Sequence, residues 1–326
     1  MTGLIASVAS FFDAVRDFFE SLAGVSWVPL LIALACFGTY LTIRSRAYFH
    51  VLRAAYPEET FQFRRIWGAY VAAYGFNNVV PARGGDVIRL FLTKQSVPHS
   101  SYPAVASSFT VEAIFDLVMG SVILIFAFTQ GVFPKPPDFA DLDAFDLSFF
   151  ASDPRLTLFI LTALAVISMI AFALLSVRVK AFWARVKQGV AILRDRRRYV
   201  REVFLVQLGG YAFRFAAFWM LLEAFGIGGS VRNVLLVLGV NAVAAAVPFT
   251  PGGAGVVQAL LVQVFGDTTK VAAYSVGQQI AIGVFSFALG FAALVFVFRL
   301  RSFREVIRRG KEERKADKAS RRAARA

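Results

Sequence analysis

Five stretches of this chain are long and apolar enough to cross a bilayer, and that limits the fold more than any other feature. They run roughly over Trp27–Ile43, Ala104–Gln130, Leu156–Val177, Val203–Phe225 and Val271–Arg299. About 20 apolar residues are enough for a helix to span a membrane. In lipid the backbone must satisfy its own hydrogen bonds, so each stretch is predicted to be a helix. Composition agrees: 58% of the 326 residues are hydrophobic and 17% are charged, against about 25% charged in soluble domains. The predicted class is an all-α, polytopic membrane protein.

The segments between these stretches set the orientation. Arg178–Arg201 carries nine Lys/Arg against Asp195, and the tail from Arg299 carries twelve Lys/Arg against four acids. Both are predicted to be cytoplasmic, because short basic segments stay inside. Arg44–Arg65 holds five arginines and reads as inside as well. Gly131–Arg155, with Asp138, Asp141, Asp143, Asp146 and Asp153, reads as outside. The net charge of +14 is thereby explained by membrane topology, and no nucleic-acid partner is expected. Residues 1–26 form a separate unit. There Leu4, Val8, Phe11, Phe12, Val15, Phe18, Phe19 and Leu22 recur at helical spacing, and Asp13, Asp17 and Glu20 face the other way. This predicts an amphipathic helix, lying in the interface or packed on the protein itself. Residues 27–300 form the transmembrane domain and 301–326 a basic cytoplasmic tail, suited to anionic lipid.

Two further hydrophobic regions complete the architecture. Ile66–Val97 must begin and end inside, and Arg232–Gly266 must begin and end outside. Each is broken at its middle by Pro and Gly. Each is predicted to be a re-entrant hairpin of two helices, a form tolerated at membrane depth only where protein or a cavity covers the irregular backbone. The breaks resemble each other: VPARGGDVIRLFL from Val80, and VPFTPGGAGVVQALL from Val247, with Asn77 and Asn241 upstream. Span, hairpin, span recurs in both halves with opposite orientation. That is an inverted repeat, in which interrupted segments mark the substrate site of many transporters.

Candidate substrate-binding residues gather at these breaks. At the first they are Asn77, Asn78, Pro81, Arg83, Gly84, Gly85, Asp86 and Arg89. At the second they are Asn241, Pro248, Thr250, Pro251, Gly252, Gly253, Gly255 and Gln258. Glu112, Asp116 and Arg214 lie within spans. Glycines after a proline leave N–H groups free at the start of a half-helix, where an anionic group is favoured. Arg83 and Arg89 add charge to the first break, whereas the second is nearly neutral. An ionisable group costs about 2.5–3.5 kcal/mol at the membrane centre on insertion scales. Arg83 or Arg89 is therefore expected to pair with Glu112 or Asp116, which are four residues apart on one helix face. Gly283 and Gly290 are expected to pack helices together. The lone Cys36, with His50 and His99, forms no metal-binding or catalytic pattern, so neither a cofactor nor catalytic residues are expected.

PARGGD, Glu112 with Asp116, and PFTPGGAGVVQ resemble the flippase-like membrane family that includes the transmembrane region of lysylphosphatidylglycerol synthase. The resemblance covers roughly Trp27 to Leu300. It implies movement or handling of modified phospholipids or lipid-linked glycans. Two positions depart from the family: Ala113 stands where an arginine is usual, and Gln258 where an acid is common. Only a short charged tail follows Arg299, so the soluble aminoacyl-transfer domain of the synthase is not expected. The expected function is a plasma-membrane flippase or transporter for an anionic or lipid-linked substrate. The alternatives are a lipid-modifying transferase with Glu112 or Asp116 as base, and a non-catalytic partner of a lipid or glycan synthase. Homo-oligomerisation is left open.

Overall fold

The computed structural model describes residues 24–78, 84–129, 180–244, 256–266 and 269–299, and every regular element among them is helical. Helix α1 (Trp27–Ala55) runs twelve residues past the predicted end of its span at Ile43. Nothing between Thr42 and Ala55 breaks a helix, and Arg44 is buried rather than solvated. The helix stops at Tyr56–Pro57, where the proline disfavours helical backbone in the preceding residue. Helices α2 (Phe63–Asn77) and α3 (Gly84–Ser96) follow and pack on each other. Helix α4 (Tyr102–Thr129) opens with Pro103 in its first turn, where a missing N–H costs nothing.

After the acidic region come α5 (Lys180–Gly189) and a 3-10 turn, Ala191–Arg194. Helix α6 (Arg196–Ala224) is capped by Asp195, whose side chain accepts from the Arg198 N–H at 3.0 Å. It contains a π turn over Val200–Phe204. It ends at Gly226, whose φ of +67° suits glycine at a helix C-terminus. The Ile227 N–H bonds back to the Leu222 carbonyl at 3.0 Å. Helices α7 (Val231–Ala244) and α8 (Val256–Phe265) also pack on each other. Helix α9 (Thr269–Phe296) closes the set.

Helices α1, α4, α6 and α9 are each long and apolar enough to cross a membrane, so the protein is a multi-pass membrane protein. Large apolar side chains are exposed on them, such as Leu117 at 72% and Phe296 at 73%, as expected of helix faces turned to lipid. Both interrupted regions hold two short helices, as read from the sequence, and the residues between them (79–83 and 245–255) lie outside the described residues. The fifth predicted span (156–177), the N-terminal amphipathic helix and the basic tail lie outside the described residues.

The chain divides into two compact units. One takes the described residues of Gly38–Glu112 and Arg185–Gly210 and those from Ile282 onward, and contains α2 and α3. The other takes those up to Phe37, of Ala113–Ala184 and of Tyr211–Ala281, and contains α7 and α8. In the first unit, Ala69, Ala72, Phe76, Ile88, Phe91, Leu92 and Leu294 form one core cluster. Lipid tails are as apolar as leucine, so helices in a membrane gain little from burying apolar surface and rely on close packing. Glycine provides it here. A Cβ on Gly75 would strike the Ser286 carbonyl, and one on Gly290 would lie 2.9 Å from the Val71 carbonyl oxygen. Gly290 thus packs helices as expected. Gly283 does not, since an added Cβ there meets nothing within 4 Å. In the other unit, Tyr274 is fully buried beside Phe225, with ring centroids 5.7 Å apart.

Gly75→Val and Gly290→Val are each expected to lower the melting temperature of the detergent-purified protein. The overpacking costs about 1–3 kcal/mol. Gly283→Val is expected to leave the melting temperature unchanged. Wild-type melting in Gly75→Val would mean that α2 and α9 are not in contact.

Candidate functional site

The start of α3 is held by backbone contact. Gly84 and Gly85 open the helix. A Cβ on Gly85 would collide with the Ala73 carbonyl and sit 2.7 Å from Asn77 Oδ1. Only glycine lets α3 approach α2 this closely. Asn77, the last residue of α2, donates from Nδ2 to Asp86 Oδ1 at 3.1 Å across the break. Asp86 lies in the first turn of α3, where the helix dipole favours an acid. Asn78 turns back instead and donates to the Tyr74 carbonyl at 3.0 Å.

One turn further along α3 lies Arg89, only 8% exposed. Its Nη2 meets Glu112 Oε2 of α4 at 2.7 Å. Glu112 is itself buried. This is the arginine–carboxylate pairing anticipated from the sequence. The guanidinium also lies 3.8 Å from the ring centroid of Tyr48, 4.4 Å from that of Tyr70 and 4.4 Å from that of Phe109. Aromatic faces are electronegative and attract cations, by about 2 kcal/mol where water is excluded. Tyr70 serves two arginines: its ring faces Arg89, and its hydroxyl accepts from Arg44 Nε at 2.9 Å. Tyr48 sits one turn after Arg44 on α1, and its hydroxyl is 3.4 Å from Ser108 Oγ. One buried cation therefore ties α3 to α1, α2 and α4.

The sequence does not reveal this aromatic box. Tyr48, Tyr70 and Phe109 are unremarkable residues on three separate elements. The Arg44–Tyr48 spacing is helical, but reading Arg44–Arg65 as a basic connecting segment placed both residues outside a helix.

The other candidates are dispersed. Asp116 is one turn beyond Glu112 on α4 and exposed. Arg214 of α6 lies 5.3 Å from the Tyr211 ring centroid and 5.9 Å from that of Phe218. Asn241 of α7 donates to the Val237 carbonyl at 3.0 Å. Gln258 of α8 donates from Nε2 to Gln279 Oε1 of α9 at 2.6 Å. Pro81, Arg83, Pro248, Thr250, Pro251, Gly252, Gly253 and Gly255 lie outside the described residues, as does the expected meeting of the two breaks.

The two hairpins share a device. In each, a polar side-chain pair ties the second short helix to the following long helix. In the first hairpin the pair is ionic, Arg89–Glu112, 23 residues apart. In the second it is neutral, Gln258–Gln279, 21 residues apart.

Comparison with known proteins bears on this arrangement. The family profile described as the lysylphosphatidylglycerol synthase TM region matches residues 2–276, which bears out the resemblance read from the two motifs. No curated protein and no solved structure matches the chain.

The box predicts an asymmetric mutational response. Glu112→Gln leaves a buried guanidinium without its carboxylate and is expected to cost about 3–5 kcal/mol. Arg89→Gln combined with Glu112→Gln is expected to cost less than the sum of the two single changes, because the double variant leaves no stranded charge. Exchanging the two charges is expected to restore little, since a carboxylate at position 89 would face three electronegative rings. Thermal melts of the four proteins test this, and strictly additive losses would show that the pair is not coupled.

Proposed function

Because the chain belongs to the lysylphosphatidylglycerol synthase transmembrane-region family, a family tied to lipid chemistry at the membrane, we propose that it carries an anionic or lipid-linked headgroup across the bilayer. The observation that carries this reading is the path of the chain through its two compact units. Helix α1 passes from the α7–α8 unit into the α2–α3 unit, and α4 passes back. Helix α6 makes the same passage as α4, and α9 makes the same passage as α1. We read this path as span, hairpin, span in each half, with the second half inverted. The repeated polar tie supports the same repeat. An inverted repeat with two broken hairpins is an architecture of alternating access, in which half-helix tips approach the substrate.

In this reading the hairpins are re-entrant and the break of each hairpin is a headgroup contact within its own unit. Asn77, Gly84 and Gly85 serve at the first, and the PFTPGG segment serves at the second. Glu112 anchors the hairpin through Arg89 instead of acting as a catalytic base, which favours transport over a transferase reaction in this reading. The described basic residues of Arg44–Arg65 and Arg185–Arg201 fall in the α2–α3 unit. Under the positive-inside rule we take these basic segments as cytoplasmic, with the plasma membrane as the proposed site of action and the C-terminus inside.

Reconstitution into vesicles containing phosphatidylglycerol with a fluorophore on its headgroup tests the proposal. A membrane-impermeant reductant should bleach more of the label in proteoliposomes than in protein-free vesicles. Arg89→Gln should slow the extra bleaching. Bleaching equal to that of protein-free vesicles, for this lipid and for a labelled lipid-linked glycan, would sink the transport reading.

A further inference from the structure

A second cationic cluster lies where α1 ends and α6 begins, and it shares no residue with the Arg89 box. Glu202, in the π turn of α6, is its centre. Arg198 Nε meets Glu202 Oε2 at 2.9 Å, His50 Nδ1 of α1 lies 3.6 Å from the same oxygen, and Arg201 Nη2 lies 3.8 Å from Oε1. Arg46 and Arg53 of α1 are near enough to His50 to act on it electrostatically, as Arg198 is. Two guanidinium groups and an imidazole thus meet one carboxylate, and two further arginines act on the imidazole. Among the described residues, Glu202 is the one carboxylate within ion-pair distance of this group. The cluster is open to ligand: the Arg201 side chain is 77% exposed and that of Arg198 40%.

Three features give the cluster the character of a headgroup site. Its cations sit on aromatic rings, with Arg46 5.2 Å from the centroids of both Phe49 and Phe63, and Arg53 5.9 Å from that of Phe61. Charge beside half-buried ring is the composition of the zone between headgroups and acyl chains. Its two helices are membrane-spanning by length and hydropathy, and the cluster lies near their ends, where a headgroup would be. The geometry is fixed from below by a buried core of Ala47, Val51, Val111, Ile192 and Val203. A π turn is a rare backbone form that tends to persist where it places side chains for a function.

We propose that this cluster binds the phosphate of an anionic phospholipid headgroup, with Arg46, Arg198 and Arg201 as its principal donors. Arginine suits the task, because its planar fork gives two parallel hydrogen bonds to phosphate oxygens. Glu202 preorganises Arg198 and His50, and it partly neutralises the site until phosphate arrives. The site is a fixed lipid contact on the protein and does not depend on the transport reading.

The full-length protein, purified in a mild neutral detergent, would be titrated with short-chain phosphatidylglycerol and, separately, phosphatidylcholine, with binding followed by native mass spectrometry. Wild type should bind phosphatidylglycerol in preference to phosphatidylcholine. Arg46→Gln with Arg198→Gln should weaken phosphatidylglycerol binding by about fivefold for each guanidinium removed. Glu202→Gln, which removes the competing carboxylate, should strengthen it. Arg232→Gln, a charge removed from the other unit, should change nothing. Melting temperatures would confirm that each variant is folded. Three outcomes would each overturn the proposal: unaltered phosphatidylglycerol binding in the double variant, an equal loss in Arg232→Gln, or displacement of the lipid by an equal concentration of inorganic phosphate.

Discussion

A guanidinium cannot be left alone in a low-dielectric interior, and the α2–α3 unit is organised around meeting that demand. Moving a charge out of water costs several kcal/mol even after relaxation. Arg89 recovers this cost from two directions. Glu112 supplies the opposite charge at 2.7 Å, and Tyr48, Tyr70 and Phe109 supply ring faces at 3.8–4.4 Å. Because these partners come from α1, α2 and α4, none of those helices can shift against α3 without exposing or stranding the charge. The ion pair therefore contributes position more than net stability.

Glycine contacts complete what the ion pair begins. Gly85 brings the α3 backbone against the Ala73 carbonyl, and Gly75 brings α2 against the Ser286 carbonyl of α9. Backbone-to-backbone approach maximises dispersion contact, the form of helix association that lipid does not weaken. The charge fixes the middle of α3, and the glycines fix its start and the helix beneath it. The hairpin is held at both points, so the segment between Asn78 and Gly84 has a fixed frame on either side.

The four described spans and the two pairs of short helices were legible in the sequence, because apolar length, proline and paired glycine act locally. The Arg89–Glu112 pair was legible for a different reason. Charges are so costly in a membrane that the few present nearly identify one another. Two things were not legible. The aromatic box escaped because a tyrosine in an apolar helix carries no mark of which side it faces. The extent of α1 was misjudged because hydropathy treats Arg44 as the end of a span. In the fold, the Tyr70 hydroxyl gives that arginine a buried partner, and the helix continues until Pro57 stops it.

The two polar ties divide the labour between the hairpins. Arg89–Glu112 is buried, charged and enclosed by rings, and breaking it strands a charge. Gln258–Gln279 is a neutral amide pair, and a neutral hydrogen bond contributes only about 0.5–1.5 kcal/mol net. Its loss leaves two groups that other amides or water can satisfy. If the two halves rock against a shared substrate, the energetic cost of opening is unequal. Under the proposed transport the α8 tie would yield first, and the α3 tie would hold. The sequence difference at the breaks follows the same logic: the first carries arginines and an aspartate, while the second carries threonine, prolines and glycines. Under the proposed transport, the charged, fixed hairpin would hold the anionic headgroup while the neutral, more easily released one would admit and discharge it. An inverted repeat with two identical charged locks would lose that asymmetry, because opening either side would strand an ion.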